Sequence, residues 1–90
     1  MNQNNRTEER LPLQKECILA NRSGAIETQI VDMSKIGLGV KTDTILPFKN
    51  GCELAVVIPS MDKSSLAELM WTKKDFNNTI RLGLKFLLEE

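Results

Sequence analysis

The sequence contains no histidine, and this absence removes several classes of chemistry at once. Histidine is the base in Ser-His-Asp and Cys-His catalysis and the commonest transition-metal ligand. Cys17 and Cys52 stand too far apart in the chain to form a metal-binding pair of the usual spacing. No glycine-rich phosphate loop occurs, and the carboxylates are scattered among lysines. The sequence therefore predicts a protein that is not an enzyme and that holds no metal and no cofactor.

A net charge is also absent, and aromatic rings are few. Lys plus Arg and Asp plus Glu both number 12, and the chain has three Phe and one Trp. A generic nucleic-acid binder carries a basic excess and stacks bases on a series of rings. No stretch approaches 18 apolar residues, and the start of the chain, MNQNNRTEER, lacks the apolar run of a signal peptide. We therefore expect a cytoplasmic protein with reduced cysteines that neither binds a nucleic-acid polymer nor inserts into a membrane.

The pattern of apolar residues favours an all-β fold. Turn residues separate six short runs: ECILA, AIETQIVD, IGLGVKT, CELAVVIP, LAELMWTK and TIRLGLKFL. Alternation in the third run places Ile36, Leu38 and Val40 on one face. Six strands without a long helix predict a small six-stranded antiparallel β-barrel, because closure leaves no long exposed edge. We expect residues 1–10 to form a flexible N-terminal tail and residues 11–90 to form the barrel.

Two polar stretches interrupt the apolar runs, RTEER at residues 6–10 and DMSKIG at residues 32–37. The guanidinium forks of Arg6 and Arg10 suit an anionic ligand, since the same fork binds phosphate and the O6/N7 edge of guanine. The carboxylate of Asp32 can accept hydrogen bonds from the N1–H and N2–H groups on the other edge of guanine. Ser34 can bond to a phosphate or a backbone group, and Gly37 lets a ligand or a backbone approach closely.

Each stretch also has an ordinary structural interpretation. Asp-x-Ser at the end of a strand is a common turn, and RTEER is also typical of a solvated tail whose glutamates neutralise its arginines. At average residue frequencies a chain of this length shows Arg-x-x-x-Arg by chance about one time in five, but Asp-x-Ser-x-x-Gly only about one time in fifty. The ordered pair therefore favours the functional interpretation.

The order and spacing of the two stretches resemble those of the PilZ domain, a bacterial β-barrel receptor for cyclic diguanylate (cyclic di-GMP). The family motif is Arg-x-x-x-Arg in an N-terminal segment, then Asp or Asn-x-Ser-x-x-Gly at the end of the second strand. RLPLQKECILA looks like the start of the family's first strand, and IGLGVKT looks like its third. AELMWTKKD and IRLGLKF look like its final hairpin.

The resemblance implies a set of ligand-contacting residues: Arg6, Arg10, Asp32, Ser34, Gly37 and Trp71. The arginines would grip the phosphates and guanine edges, and the aspartate would accept hydrogen bonds from a guanine. The serine would bond to the ligand or brace the turn, and the glycine would leave room for the ligand. Trp71 corresponds to a position where some members place a ring or apolar surface against a base. Many members have a further arginine where this chain has Asn5, so affinity or ligand number could differ.

The resemblance further implies a receptor in which the ligand orders the N-terminal tail and thereby signals to a protein partner. Such domains regulate motility, exopolysaccharide synthesis and biofilms, adhesion or virulence, and the sequence selects none of these processes. Two alternatives stay open. The chain could be a degenerate PilZ-like interaction module that binds protein but not the nucleotide. It could also be a small barrel of the OB or Sm-like kind for RNA or single-stranded DNA, although zero net charge and few rings disfavour this.

Overall fold

The computed structural model describes residues 15–75 and 77–87, which form a closed six-stranded antiparallel barrel. The strands are β1 (Glu16–Asn21), β2 (Gly24–Met33), β3 (Gly37–Thr42), β4 (Glu53–Ile58), β5 (Lys63–Lys74) and β6 (Ile80–Phe86). Their order around the barrel is β1-β2-β3-β6-β5-β4, with β4 paired back onto β1. The predicted all-β barrel is confirmed. The predicted tail, residues 1–10, lies outside the described residues.

The first hairpin fixes where the chain enters the barrel. In its turn the side-chain oxygen of Asn21 accepts a hydrogen bond from the backbone N–H of Ser23 at 2.6 Å, and Gly24 takes a φ of 153°. At the other end of the hairpin, the N–H of Ile30 donates to the carbonyl oxygen of Lys15 at 2.9 Å. Lys15 therefore lies beside Ile30 on β2, two residues before Asp32.

Alternate residues of all six strands fill the barrel. The largest fully buried side chains are Leu19, Leu54, Ile58, Leu69 and Leu82. Leu38 and Val40 face this core as predicted, but the prediction for Ile36 was wrong, since its side chain is 71% exposed. Ile36 precedes β3 and belongs to the turn that the Ser34 N–H closes by donating to the carbonyl oxygen of Gly37 at 2.9 Å. The period-two pattern does not extend into that turn.

Cys17 and Cys52 form no disulfide bond, and they differ in environment. Cys17 is fully buried in the core, whereas Cys52 is partly exposed. Burial raises the pKa of the Cys17 thiol from 9.0 to about 11, because the low-dielectric core disfavours the thiolate; a hydrogen bond with Thr28 opposes this rise. Within residues 15–75 and 77–87, no helix is long and apolar enough to cross a membrane.

The raised pKa of Cys17 predicts a loss of stability in alkali. Between pH 9 and 11 the folded chain keeps the thiol proton that the unfolded chain has released, so the free energy of unfolding falls as pH rises through this window. Below pH 9 the thiol is protonated in both states, so it does not change how the free energy of unfolding depends on pH. Urea unfolding at several pH values should show this fall in the parent, and Cys17→Ala should lack that part of it. Because the two proteins share every other ionisable group, the difference between the two profiles is the test; parallel profiles would contradict it.

Candidate functional site

Four residues form a row across the outer face of the barrel, one on each of β2, β3, β6 and β5. Asp32 pairs with Gly39, Gly39 pairs with Gly83, and Gly83 pairs with Trp71. We name these four residues the cross-strand row. Neighbouring strands lie about 4.8 Å apart, so Asp32 and Trp71 stand about 14 Å apart along the sheet, with glycine backbone between them.

Two β-bulges place the ends of the cross-strand row on the outer face. Ile30 and Leu69 point into the core, so simple alternation would point Asp32 and Trp71 inward as well. The register shifts between Ile30 and Asp32 and again between Leu69 and Trp71. Each shift inserts one unpaired residue and reverses the alternation. The carboxylate and the indole therefore both face outward, and 49% of the Trp71 surface remains exposed.

The two glycines let the functional side chains lie close against the sheet. The Trp71 ring covers Gly83 so closely that a Cβ added at this glycine would overlap the indole. Gly83 is buried for this reason although it faces outward. A Cβ added at Gly39 would lie 3.0 Å from Oδ1 of Asp32. Glycine in a strand often marks such a close approach, and here it lets the indole lie directly over the Gly83 backbone while 49% of the Trp71 surface stays exposed.

The cross-strand row forms part of a surface groove with a volume of about 240 Å³. Asp32 lines one end of this groove, and Trp71 lines the other together with Met70 and Arg81. A carboxylate accepts hydrogen bonds from a pair of N–H donors, and an exposed indole face stacks on a flat ring. The groove is therefore suited to a planar heterocycle with donors on its edge.

Ser34 and Gly37 shape the turn that follows Asp32. The Oγ atom of Ser34 accepts hydrogen bonds from the N–H groups of Ile36 and Gly37 at 3.3 and 3.2 Å. Ser34 thus braces the turn, and its hydroxyl still carries a proton that it can donate. A Cβ added at Gly37 would lie 2.6 Å from the carbonyl oxygen of Leu84 on β6, so packing alone requires glycine there. Ligand contacts for these two residues stay predictions.

The structure thus brings together part of the predicted site. Asp32 and Trp71 share the groove, and the Ser34–Gly37 turn adjoins the Asp32 end of it. Arg6 and Arg10 lie outside the described residues. Sequence reasoning missed Gly39 and Gly83, although glycines at two outward-facing strand positions were a signal for close approach.

Comparison with known families covers nearly the whole chain. The family model of the PilZ domain matches residues 4–90, a range that contains both polar stretches and all six predicted ligand-contacting residues. No curated protein matches the chain.

Proposed function

The chain belongs to the PilZ domain family, and we propose that it is a receptor for cyclic diguanylate that signals to a protein partner. The family is one of nucleotide-binding receptors rather than enzymes. The observation that carries the proposal is the groove in which the Asp32 carboxylate and the Trp71 ring face a glycine floor from opposite ends. Cyclic diguanylate is a bacterial second messenger, so we place this receptor in the bacterial cytoplasm.

Guanine matches the chemistry of the groove. Its N1–H and N2–H groups form a pair of donors that one carboxylate can accept, which is the role we assign to Asp32. Its ring can stack on the exposed face of Trp71, and base–aromatic stacking contributes about 1–3 kcal/mol. The Ser34 hydroxyl, oriented by the two backbone N–H groups that it accepts from, can donate to the ligand at the same end as Asp32.

The position of Lys15 supports a role for Arg6 and Arg10 in binding the ligand. The hydrogen bond from Ile30 to Lys15 holds the chain next to the bulge that precedes Asp32. Arg10 stands five residues before Lys15, so its backbone can lie up to about 18 Å from that point. This reach includes the Asp32 end of the groove. We assign Arg6 and Arg10 to the phosphates and guanine edges of the ligand.

Signalling follows from the same arrangement. The two phosphate charges of the ligand attract both arginines to the barrel face beside Asp32. Residues 1–10 then become ordered over the bound nucleotide, and the surface that a protein partner meets differs between the free and the bound state.

A calorimetric titration of the full chain with cyclic diguanylate tests the proposal, with GTP as the control ligand. We expect saturable binding of cyclic diguanylate, with one or two ligands per chain, and no binding of GTP at the same concentrations. Amide chemical shifts measured in parallel should change at Asp32 and Trp71. Absence of both heat and shift changes would overturn the proposal and favour a domain that binds protein only.

A further inference from the structure

Three basic residues lie side by side along one edge of the groove, and the middle one, Arg81, lines it. Lys41 on β3 pairs with Arg81 on β6, and Arg81 pairs with Lys73 on β5. We name these three residues the basic row. Each lies two residues along its strand from a member of the cross-strand row, so the two rows run parallel about 7 Å apart on the same outer face.

The fold itself gives no reason for this concentration of positive charge. Like charges directly opposite each other destabilise a sheet, and all three side chains are exposed. Arg81 is paired with Asp75, with Nε and Oδ2 3.0 Å apart. Among residues 15–75 and 77–87, neither Lys41 nor Lys73 has a carboxylate oxygen within 4.0 Å of its ammonium group.

The excess of positive charge lies on only one side of the groove, as the residues on its other side show. There Lys85 on β6 pairs with Glu68 on β5, an ordinary pairing of opposite charges. A negatively charged ligand in the groove would therefore be attracted toward the basic row. Lys41 also borders a separate polar groove that contains Glu27 and Asp43, so we expect Lys73 to contribute more than Lys41.

We propose that the basic row binds phosphate groups of the nucleotide whose base stacks on Trp71. This inference rests on the proposed function, and it adds phosphate-binding residues that lie outside the two polar stretches. The two rows lie about 7 Å apart, so the phosphates of a nucleotide whose base lies on Trp71 come within reach of the side chains of the basic row. Ammonium and guanidinium groups are the side chains that bind phosphate. In the absence of ligand, the Asp75 carboxylate pairs with the Arg81 guanidinium. When the nucleotide binds, a phosphate oxygen replaces the carboxylate as the partner of Arg81.

The first test compares two variants with the same change in charge. Calorimetric titration with cyclic diguanylate should show about three- to tenfold weaker binding for K41Q/K73Q than for the parent, with a smaller dependence on salt. The control K49Q/K63Q removes two exposed lysines elsewhere and should bind like the parent. Equal affinities for the parent and K41Q/K73Q would overturn the inference, as would an equal loss in the control.

A second variant should bind cyclic diguanylate more tightly than the parent. Asp75→Asn removes the internal partner of Arg81, so it should tighten binding about two- to fivefold if that guanidinium contacts a phosphate. Unchanged or weaker binding by this variant would remove Arg81 from the proposed phosphate site.

A simpler anion separates this inference from the proposed function. Inorganic diphosphate should shift the amide resonances of Lys41, Lys73 and Arg81 in the parent, and it should shift the Arg81 resonance less in K41Q/K73Q. If the parent does not bind cyclic diguanylate but shows these shifts, the proposed function fails and the anion site stands. If cyclic diguanylate binds but diphosphate leaves the basic row unperturbed and K41Q/K73Q binds like the parent, the inference fails and the proposed function stands.

Discussion

Replacing Arg10 by alanine should weaken the binding of cyclic diguanylate by about ten- to a hundredfold. A guanidinium donates two parallel hydrogen bonds to a phosphate or to the O6/N7 edge of guanine, and it carries a full charge to a dianionic ligand. Both contributions are lost together in the alanine variant. Arg10 precedes β1, which begins at Glu16, so we expect the variant to keep the thermal stability of the parent. Calorimetric titration measures the affinity, and thermal unfolding verifies the fold.

Two further variants separate the shape of the guanidinium from its charge. Arg10→Lys keeps the charge but loses the planar fork, so its affinity should fall between those of the parent and the alanine variant. Arg22→Ala removes an exposed arginine from the β1–β2 turn, at the opposite end of β1 from Lys15, and should bind like the parent. An Arg10→Ala protein that binds as tightly as the parent would exclude Arg10 from the site.

The barrel could be predicted because the patterns that indicate its strands and turns lie within short stretches of sequence. Leu82 and Leu84 alternate with polar or small residues in the last run, and both are buried as that pattern indicates. The NRSG turn was likewise predictable from Asn21 and Gly24, whose chemistry suits a hairpin. Ile36 was placed wrongly because local periodicity does not show where a strand begins.

The outward positions of Asp32 and Trp71 could not be predicted from alternation. Ile30 and Leu69 are core residues two positions earlier, so a pattern of period two places both functional side chains inside. Only the pairing of β2 with β3 and of β5 with β6 creates the bulges that reverse this orientation. Both pairs are hairpins of consecutive strands, but a bulge is a shift in the register between two strands, and the apolar pattern within one strand does not show it.

The same reason explains why the basic row was not visible in the sequence. Lys41, Lys73 and Arg81 lie on three different strands, and only the ladder register places them side by side. Each lysine or arginine alone is typical of a solvated strand face. Motif residues such as Asp32 and Ser34 were accessible because their spacing within one turn carries the signal.

The second large effect concerns the indole that covers Gly83. Trp71→Ala should weaken binding of cyclic diguanylate by about five- to a hundredfold, because it removes the stacking surface for the base. Gly83→Ala should cause a loss of similar size while leaving the indole in the protein, because the new Cβ would occupy the space of the ring and force it away from the groove. Calorimetric titration of both variants measures the two losses.

The double variant decides whether both substitutions act through the ring. If Gly83→Ala weakens binding only by displacing Trp71, then W71A/G83A should bind no more weakly than Trp71→Ala alone, so the two losses should not add. The effect of Gly83→Ala on the free energy of unfolding should also change sign between the parent and the Trp71→Ala variant. Gly83→Ala should destabilise the parent, where it collides with the indole, but should be neutral or stabilising in the Trp71→Ala background, where alanine suits a strand better than glycine. Urea unfolding of the four proteins measures this, and additive effects on both binding and stability would show that the ring position and Gly83 act independently.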